Sequence, residues 1–141
     1  MLKRLPITVC LATIVLLLLT GCGDDKVLES QLKDTSIKYI TAWAAKDFET
    51  VMTLATGEAL TALQQLAPAL KGADYSNKIE GMSAKLDHIN KSKDNAAVEL
   101  TYTQEQTVPG YGTSVRKIDV MCNLKKINGE WKVYAVNLIS E

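Results

Sequence analysis

SVRKIDVMCNLKKINGEWKV, residues 114–133, decides the fold of this chain. Apolar and polar residues alternate on both sides of Asn128-Gly129, which is the pattern of strands with one buried face. The Asn-Gly pair favours a type I′ turn, because both central positions of that turn need positive φ. The stretch therefore predicts a hairpin of two antiparallel strands, residues 114–127 and 130–139.

Two further strands are predicted upstream, at residues 79–89 and 96–108. Both show the same two-residue period, and a polar turn at residues 90–95 separates them. A Pro-Gly-Tyr-Gly turn at residues 109–112 then leads into the hairpin. Four consecutive strands with short turns predict an antiparallel meander.

The part of the chain before the strands has helical periodicity. Apolar residues recur every three or four positions over residues 27–46, then over a short segment that Gly57 is expected to end, and again over residues 58–70. Pro68 is expected to distort or end the third helix near Ala67. Helices followed by an antiparallel meander predict an α+β domain, with the N-terminal helices packed on one face of a curved sheet.

The N-terminus has the three parts of a secretory signal peptide. Lys3 and Arg4 supply positive charge, residues 5–19 are apolar apart from Pro6 and two threonines, and small residues follow. A membrane-spanning helix needs about 20 apolar residues, so the apolar run is too short to span a bilayer. We therefore predict that residues 1–21 are a signal peptide.

Leu19-Thr20-Gly21-Cys22 closes this segment and resembles the lipobox of bacterial lipoproteins. The resemblance implies cleavage between Gly21 and Cys22, and attachment of fatty acyl chains such as palmitate to Cys22. One acyl chain holds a protein to a membrane only marginally, whereas two or more hold it firmly. The expected partner of the N-terminus is therefore the membrane, through lipid on Cys22.

The lipobox also predicts a location in the bacterial cell envelope. The sorting rules of Gram-negative lipoproteins imply the outer membrane, because Gly23 rather than aspartate follows the cysteine. In a Gram-positive cell the same lipid implies the outer leaflet of the plasma membrane. We expect a signal peptide (1–21), a lipidated N-terminus with a short tether (22–26) and one α+β domain (27–141), whose partners would lie near the membrane surface.

Charge and cysteine content narrow the function. The chain has 16 basic and 16 acidic residues, and loss of Lys3 and Arg4 with the signal peptide leaves 14 against 16, a net charge near −2. Such a domain lacks the basic footprint of a nucleic-acid-binding protein. Cys10 would be removed and Cys22 lipidated, so Cys122 has no intramolecular disulfide partner and is predicted to be a small buried apolar residue.

Two motifs give the domain a family resemblance. Residues 43–48 read WAAKDF, and residues 126–133 read KINGEWKV. Their order and spacing resemble the nuclear-transport-factor-2-like superfamily, also called SnoaL-like or cystatin-like, over residues 27–139. The resemblance implies a cone, in which a bent sheet wraps the first helix and leaves a pocket. Asp47, in the first motif, is expected to cap a helix.

Enzymatic members of that superfamily place an Asp or His and one or more tyrosines in the cone. That set suits proton abstraction beside a carbonyl, with a tyrosine to stabilise the oxyanion. The corresponding candidates in this chain are His88, Asp87, Asp119 and Tyr102, but no spacing singles out a pair. No cluster has metal-ligand spacing and no cofactor motif is present, so neither a metal nor a cofactor is expected.

The apolar lining of the cone is a separate prediction. Four aromatic residues are interpreted as core rather than pocket wall: Trp43, Phe48, Tyr102 and Trp131. Three methionines are interpreted in two ways, as the lining of a cone that takes a small apolar ligand or as ordinary packing: Met52, Met82 and Met121.

The favoured function is a non-catalytic, lipid-anchored envelope domain that binds a protein partner or a small apolar ligand. One alternative is an envelope isomerase, dehydratase or hydrolase of the same fold. Another is a structural subunit of a secretion, conjugation or spore apparatus. A carboxylate or His88 within hydrogen-bond reach of a tyrosine in the pocket would favour the enzyme.

Overall fold

The computed structural model describes residues 23–139, so the predicted signal peptide and Cys22 lie outside the described residues. The elements follow the chain in this order: α1 Asp24–Ala44, α2 Phe48–Leu54, α3 Gly57–Gly72, β1 Ser76–Ile89, β2 Asn95–Val108, β3 Gly112–Ile127 and β4 Glu130–Leu138. The chain divides into two compact units at Ser30 and Gln31, and the second unit holds the core and the cavities described below. Within residues 23–139, no helix combines the length and the apolar character needed to cross a bilayer.

The strands form one antiparallel sheet with the order β1-β2-β3-β4. This confirms the predicted meander and the α+β class. The predicted hairpin is also confirmed, because Asn128 and Gly129 have φ of 50° and 84° and Ile127 pairs with Glu130 across the turn.

One face of the sheet is buried, as the alternation predicts. Eight side chains larger than alanine on its three C-terminal strands are at most 8% exposed: Val98, Leu100, Tyr102, Val120, Cys122, Leu124, Trp131 and Val133. Leu32 of α1 and Leu63 of α3 are also fully buried. Because full burial of one large aliphatic side chain contributes about 1.5–3 kcal/mol, this layer supplies most of the stabilisation.

Two bulges bend β1. The register shifts between Glu80 and Ser83, where Gly81 has φ of 62°, and again between Leu86 and His88. Each bulge places two residues of β1 opposite one residue of β2 and increases the local twist. The predicted face of Met82, Ala84 and Leu86 is confirmed, since all three are half-buried while the residues between them are exposed.

The first helix begins at Asp24, three residues before the predicted start at Val27. Asp24 and Asp25 lie in its first turn, where negative charge complements the helix dipole. The predicted cap of the second helix is confirmed, because Asp47 accepts hydrogen bonds from the backbone N–H and the hydroxyl of Thr50, at 3.2 and 2.6 Å. These hydrogen bonds lower the pKa of Asp47.

The role predicted for Gly57 is wrong. The second helix ends at Leu54, and Gly57 is the first residue of α3, with φ of 53°. A Cβ at this position would lie 3.3 Å from Cδ2 of Tyr134. Gly57 therefore permits a tight entry into α3 against the last strand.

Of the two outcomes predicted for Pro68, a distorted helix or a helix end, the helix end is wrong, because α3 continues through Pro68 to Gly72. Proline has no N–H to donate to the carbonyl of Gln64, four residues earlier. Both residues are exposed, so water can hydrogen-bond to that carbonyl. The break in the hydrogen-bond ladder is therefore tolerated at this position.

Candidate ligand pocket

A cavity of about 400 Å³ lies between α1, α3 and the buried face of the sheet. Its lining residues come from five elements: Tyr39, Ile40, Trp43, Glu58, Ala59, Ala62, Leu66, Tyr102, Gln104, Val120, Ala135, Val136 and Asn137. Most of them are apolar or aromatic. Since small-molecule sites are largely apolar clefts of roughly 300–1,000 Å³, this cavity has the size and the lining of a ligand pocket.

The first helix supplies an aromatic wall. Tyr39 and Trp43 are four residues apart, so their side chains lie on one face of α1. Their rings stack with centroids 6.3 Å apart and 19° between the planes. Phe48 contacts the Trp43 ring in a T-shaped arrangement, with the ring centroids 5.8 Å apart. The wall is therefore held in place by ring contacts rather than left free to rotate.

Two phenols add polar groups to the apolar lining. Burial raises the pKa of Tyr39 to about 12, and the adjacent Cys122 thiol adds to the shift. The pKa of Tyr102 is raised for the same two reasons. Both phenols therefore stay neutral at physiological pH and can donate a hydrogen bond to a ligand.

A second cavity of about 180 Å³ adjoins the first and shares four residues with it: Ile40, Trp43, Tyr102 and Gln104. Its far wall contains Tyr75 and Asn77. The side-chain amide of Gln104 donates to Oδ1 of Asn77 at 3.1 Å, which holds the amide between the two cavities. The two cavities therefore share part of their walls, and Gln104 lies between them.

The thiol behind the pocket is inert. Cys122 is fully buried, which confirms the prediction for this residue. Burial raises the pKa of Cys122 to about 12, although a hydrogen bond with Ser36 offsets part of the shift. The hydroxyl of Ser36 donates to the carbonyl of Leu32 at 2.9 Å. Because the thiolate is the reactive form, this residue is unsuited to nucleophilic or redox chemistry.

Of the candidate catalytic residues, Tyr102 alone lies in the cavity. His88 and Asp87 are 63% and 48% exposed on β1 and bind each other, with 2.8 Å between Nδ1 and Oδ2. Asp119 accepts a hydrogen bond from the hydroxyl of Thr101 at 2.6 Å. It follows the alternation of β3 onto the face opposite Val120, which lines the cavity.

No acid/base pair is assembled at the pocket in the part of the chain that the structure describes. Neither pocket phenol is hydrogen-bonded to a carboxylate or to His88, and Glu58, the carboxylate at the cavity, is exposed. Within residues 23–139, no group of three or more His, Cys, Asp or Glu side chains is placed to hold a metal ion.

The prediction of a methionine lining is wrong. None of Met52, Met82 and Met121 lines the cavity. Met52 is 45% exposed on α2, and Met121 lies between buried Val120 and Cys122, so strand alternation directs it to the opposite face.

The interpretation of four aromatic residues as core rather than pocket wall is right for two of them. Phe48 and Trp131 are buried core residues that do not line the cavity. Trp43 and Tyr102, in contrast, form its wall. Sequence reasoning missed Tyr39 and Glu58 altogether. Tyr39 had a signal, its spacing of four from Trp43, whereas Glu58 had none.

A wider groove of about 650 Å³ runs between α2 and α3. Most of its lining residues are exposed, among them Glu49, Met52, Pro68 and Lys71. Its described lining residues come from the two helices and the corner before α2, and none of them belongs to the sheet. The cavity beside Trp43 is therefore the better candidate for a ligand.

Known structures share this fold at low sequence identity. The β subunit of an aromatic-ring-hydroxylating dioxygenase from Novosphingobium aromaticivorans, itself described as putative, has a TM-score of 0.65 and 15% identity, over 82% of this chain and 90% of that one. A ketosteroid isomerase-like protein from Erwinia carotovora atroseptica has a TM-score of 0.57 and 16% identity, over 79% of this chain and 96% of that one. The association domain of CaMKII from C. elegans has a TM-score of 0.57 and 15% identity, over 84% of this chain and 99% of that one.

These similarities confirm the predicted nuclear-transport-factor-2-like cone fold. A search of curated proteins finds no match. A family model described as "Anti-sigma-I factor RsgI9, C-terminal domain" matches residues 26–140, which is most of the chain. The chain therefore belongs to the family of the anti-sigma-I factor RsgI9 C-terminal domain.

Proposed function

We propose that this chain is a lipid-anchored binding protein of the bacterial envelope, whose cone domain holds a small, mostly apolar ligand. The cavity of about 400 Å³ beside Tyr39, Trp43 and Tyr102 carries the proposal. Its volume suits a small molecule, and its aromatic walls offer a large contact area. The two neutral phenols supply hydrogen-bond donors that would orient the ligand.

An enzyme of the same fold is less well supported. General base catalysis needs a base within about 2.6–3.2 Å of the proton that it removes, directly or through one water. His88, Asp87 and Asp119 lie away from the cavity. Glu58 lines the cavity but is exposed, so solvent would compete for its carboxylate. The arrangement therefore favours binding over proton transfer.

The membrane anchor is the second part of the proposal. It rests on the resemblance of Leu19-Thr20-Gly21-Cys22 to a lipobox, at the end of a signal-peptide pattern. The first helix begins at Asp24, two residues after Cys22. Lipid on Cys22 would then be attached almost directly to a helix. The membrane would be the outer membrane in a Gram-negative cell and the plasma membrane in a Gram-positive one.

A protein partner is the second candidate for what the domain binds. The family takes its name from an anti-sigma factor, and one structure of the same fold is an association domain. Both observations favour contacts with proteins. Neither identifies the surface that this chain would use, so the cavity remains the more specific candidate.

A neutral fluorescent probe tests the ligand pocket. N-phenyl-1-naphthylamine brightens in apolar surroundings, detergent micelles included, so its fluorescence with the purified protein is read against a protein-free detergent blank. We expect one equivalent to bind the protein. Ala62 lines the cavity, so Ala62→Trp should fill it and weaken binding at least tenfold. Ala69, exposed on the same helix, does not line the cavity, so Ala69→Trp is the matched control and should bind like the wild type. Equal binding by both variants would remove the support for the pocket.

A further inference from the structure

The charge of the pocket indicates which ligands it accepts. Among the described residues that line the larger cavity, Glu58 alone carries a charge. Tyr39 and Tyr102 are neutral at physiological pH, as phenols ordinarily are, and burial raises the pKa of both further. An anionic ligand would therefore meet a carboxylate and no basic side chain in this cavity.

Two basic side chains lie near the second cavity and beside Gln104. The ammonium of Lys46 is 3.8 Å from the centre of the Tyr75 ring, which lines the second cavity, and it donates to the carbonyl of Ala73 at 2.6 Å. Arg116 lines a separate cavity of about 70 Å³ beside Gln104. The basic side chains therefore lie outside the lining of the larger cavity: Lys46, Arg116 and Lys125, whose ammonium is 4.2 Å from the centre of the Tyr134 ring.

The aromatic wall suits a cation as well as an apolar group. An ammonium within about 6 Å of a ring centre is attracted to the face of Trp, Tyr or Phe, and Trp attracts it most strongly. Trp43, Tyr39 and Tyr102 place three such rings around one cavity. Glu58 and these three rings line the same cavity, a combination that favours an ammonium group over a neutral group of the same shape.

We infer that the ligand carries a positively charged ammonium group, which the aromatic rings and Glu58 of the larger cavity hold. This inference rests on the proposed ligand pocket and names the chemical class of its ligand. The apolar part of the ligand would pack on Ile40 and Val120, and its polar end would reach the amide of Gln104. The charge on the ligand, rather than its bulk, would then decide affinity.

Three molecules of nearly the same shape test this inference: choline, the neutral 3,3-dimethylbutan-1-ol and the anionic 3,3-dimethylbutanoate. Each is titrated against the full chain in detergent, by displacement of N-phenyl-1-naphthylamine. We expect choline to bind at least fivefold more tightly than the alcohol, and the carboxylate to bind most weakly. High salt should reduce the advantage of choline, because it screens the partly exposed Glu58.

Two pairs of variants locate the effect. Glu58→Gln should bring the choline-to-alcohol ratio down to twofold or less. Glu49→Gln, at an exposed carboxylate outside this cavity, should leave the ratio unchanged. Trp43→Leu keeps an apolar side chain, and it should weaken the binding of choline more than the binding of the alcohol. Trp131→Leu should change the two affinities by the same factor.

The outcomes separate this inference from the proposed function. If the probe binds but the alcohol displaces it as well as choline does, the ligand is not selected by charge and the inference fails, while the apolar pocket stands. The inference also fails if Glu58→Gln leaves the ratio at fivefold or more. If the probe itself does not bind the wild type, the proposed pocket fails, and the inference fails with it.

Discussion

Tyr39 and Trp43 stack across one turn of α1, with their ring centroids 6.3 Å apart, and together they form the helical wall of the cavity. The spacing of four residues brings the two rings together on one side of the helix. Phe48, at the start of the next helix, contacts the edge of the Trp43 ring. The corner between α1 and α2 therefore determines the shape of the pocket, because it fixes the ring that both cavities share.

Gly57 should not tolerate a side chain. Gly57→Ala would force an alanine into φ of 53° and bring its Cβ within 3.3 Å of Tyr134, so we expect it to lower the free energy of unfolding by about 1–3 kcal/mol. Gly72, at the other end of α3, has no atom within 4 Å of an added Cβ and no positive φ. Gly72→Ala is the matched control and should be neutral or stabilising. Urea denaturation measures both, and equal effects would contradict this account of Gly57.

Pro68 should reduce the stability of α3. Pro68→Ala restores the hydrogen bond to the carbonyl of Gln64 at an exposed position, so we expect it to stabilise the protein by about 1–3 kcal/mol. Gln65→Ala, at an exposed neighbour on the same helix, should change stability by less than about 0.5 kcal/mol. A higher melting temperature for Pro68→Ala supports the continuous helix. A lower one would show that the helix needs the proline at this point.

The buried thiol predicts how stability changes with pH. The pKa of Cys122 is raised from 9.0 to about 12 in the folded protein, so its contribution to stability is present below pH 9 and is lost as the pH rises toward 12. The loss should be about 1.4 kcal/mol for each pH unit within that window. Cys122→Ala removes this titration, and its stability should fall less steeply in urea denaturation at several alkaline pH values. Parallel slopes for the two proteins would contradict the burial of the thiol.

The anchor is tested at Cys22. In bacteria that express the full chain, Cys22→Ala should abolish incorporation of an alkyne analogue of palmitate and leave the precursor uncleaved. Cys10→Ala, in the predicted signal peptide, is the control and should still be cleaved and labelled. Labelling of the Cys22→Ala protein at the level of the wild type would refute the lipobox interpretation.

Local patterns were sufficient to predict most of the fold. The alternation around Val98 and Val120, the Asn128-Gly129 turn and the cap at Asp47 all depend on neighbours in sequence. The errors at Gly57 and Pro68 have another cause, because each depends on what lies beside the residue in three dimensions. Tyr134 packs against Gly57, and solvent surrounds Pro68. Neither contact can be predicted from the residues that flank Gly57 or Pro68 in the sequence.

The pocket was harder to predict than the fold, because its residues come from five separate elements. A residue pattern shows that Trp43 and Trp131 are both apolar and periodic, but it does not show which one faces an empty space. Glu58 and Gln104 are polar residues without a motif, and only their position around the cavity gives them a role. The fold can therefore be predicted from residues that are neighbours in sequence, whereas the site depends on how separate elements pack together.

The two tryptophans provide the most direct test of the ligand pocket. Trp43 lines the cavity, whereas Trp131 is buried elsewhere, and its indole N–H has no hydrogen-bond partner among the described residues. In a ¹H–¹⁵N spectrum of the labelled protein, saturating N-phenyl-1-naphthylamine should shift the indole resonance of Trp43 and leave that of Trp131 unchanged. The spectrum of Trp43→Phe assigns the two peaks. If the probe leaves the Trp43 resonance in place, or shifts only that of Trp131, the cavity is not the binding site.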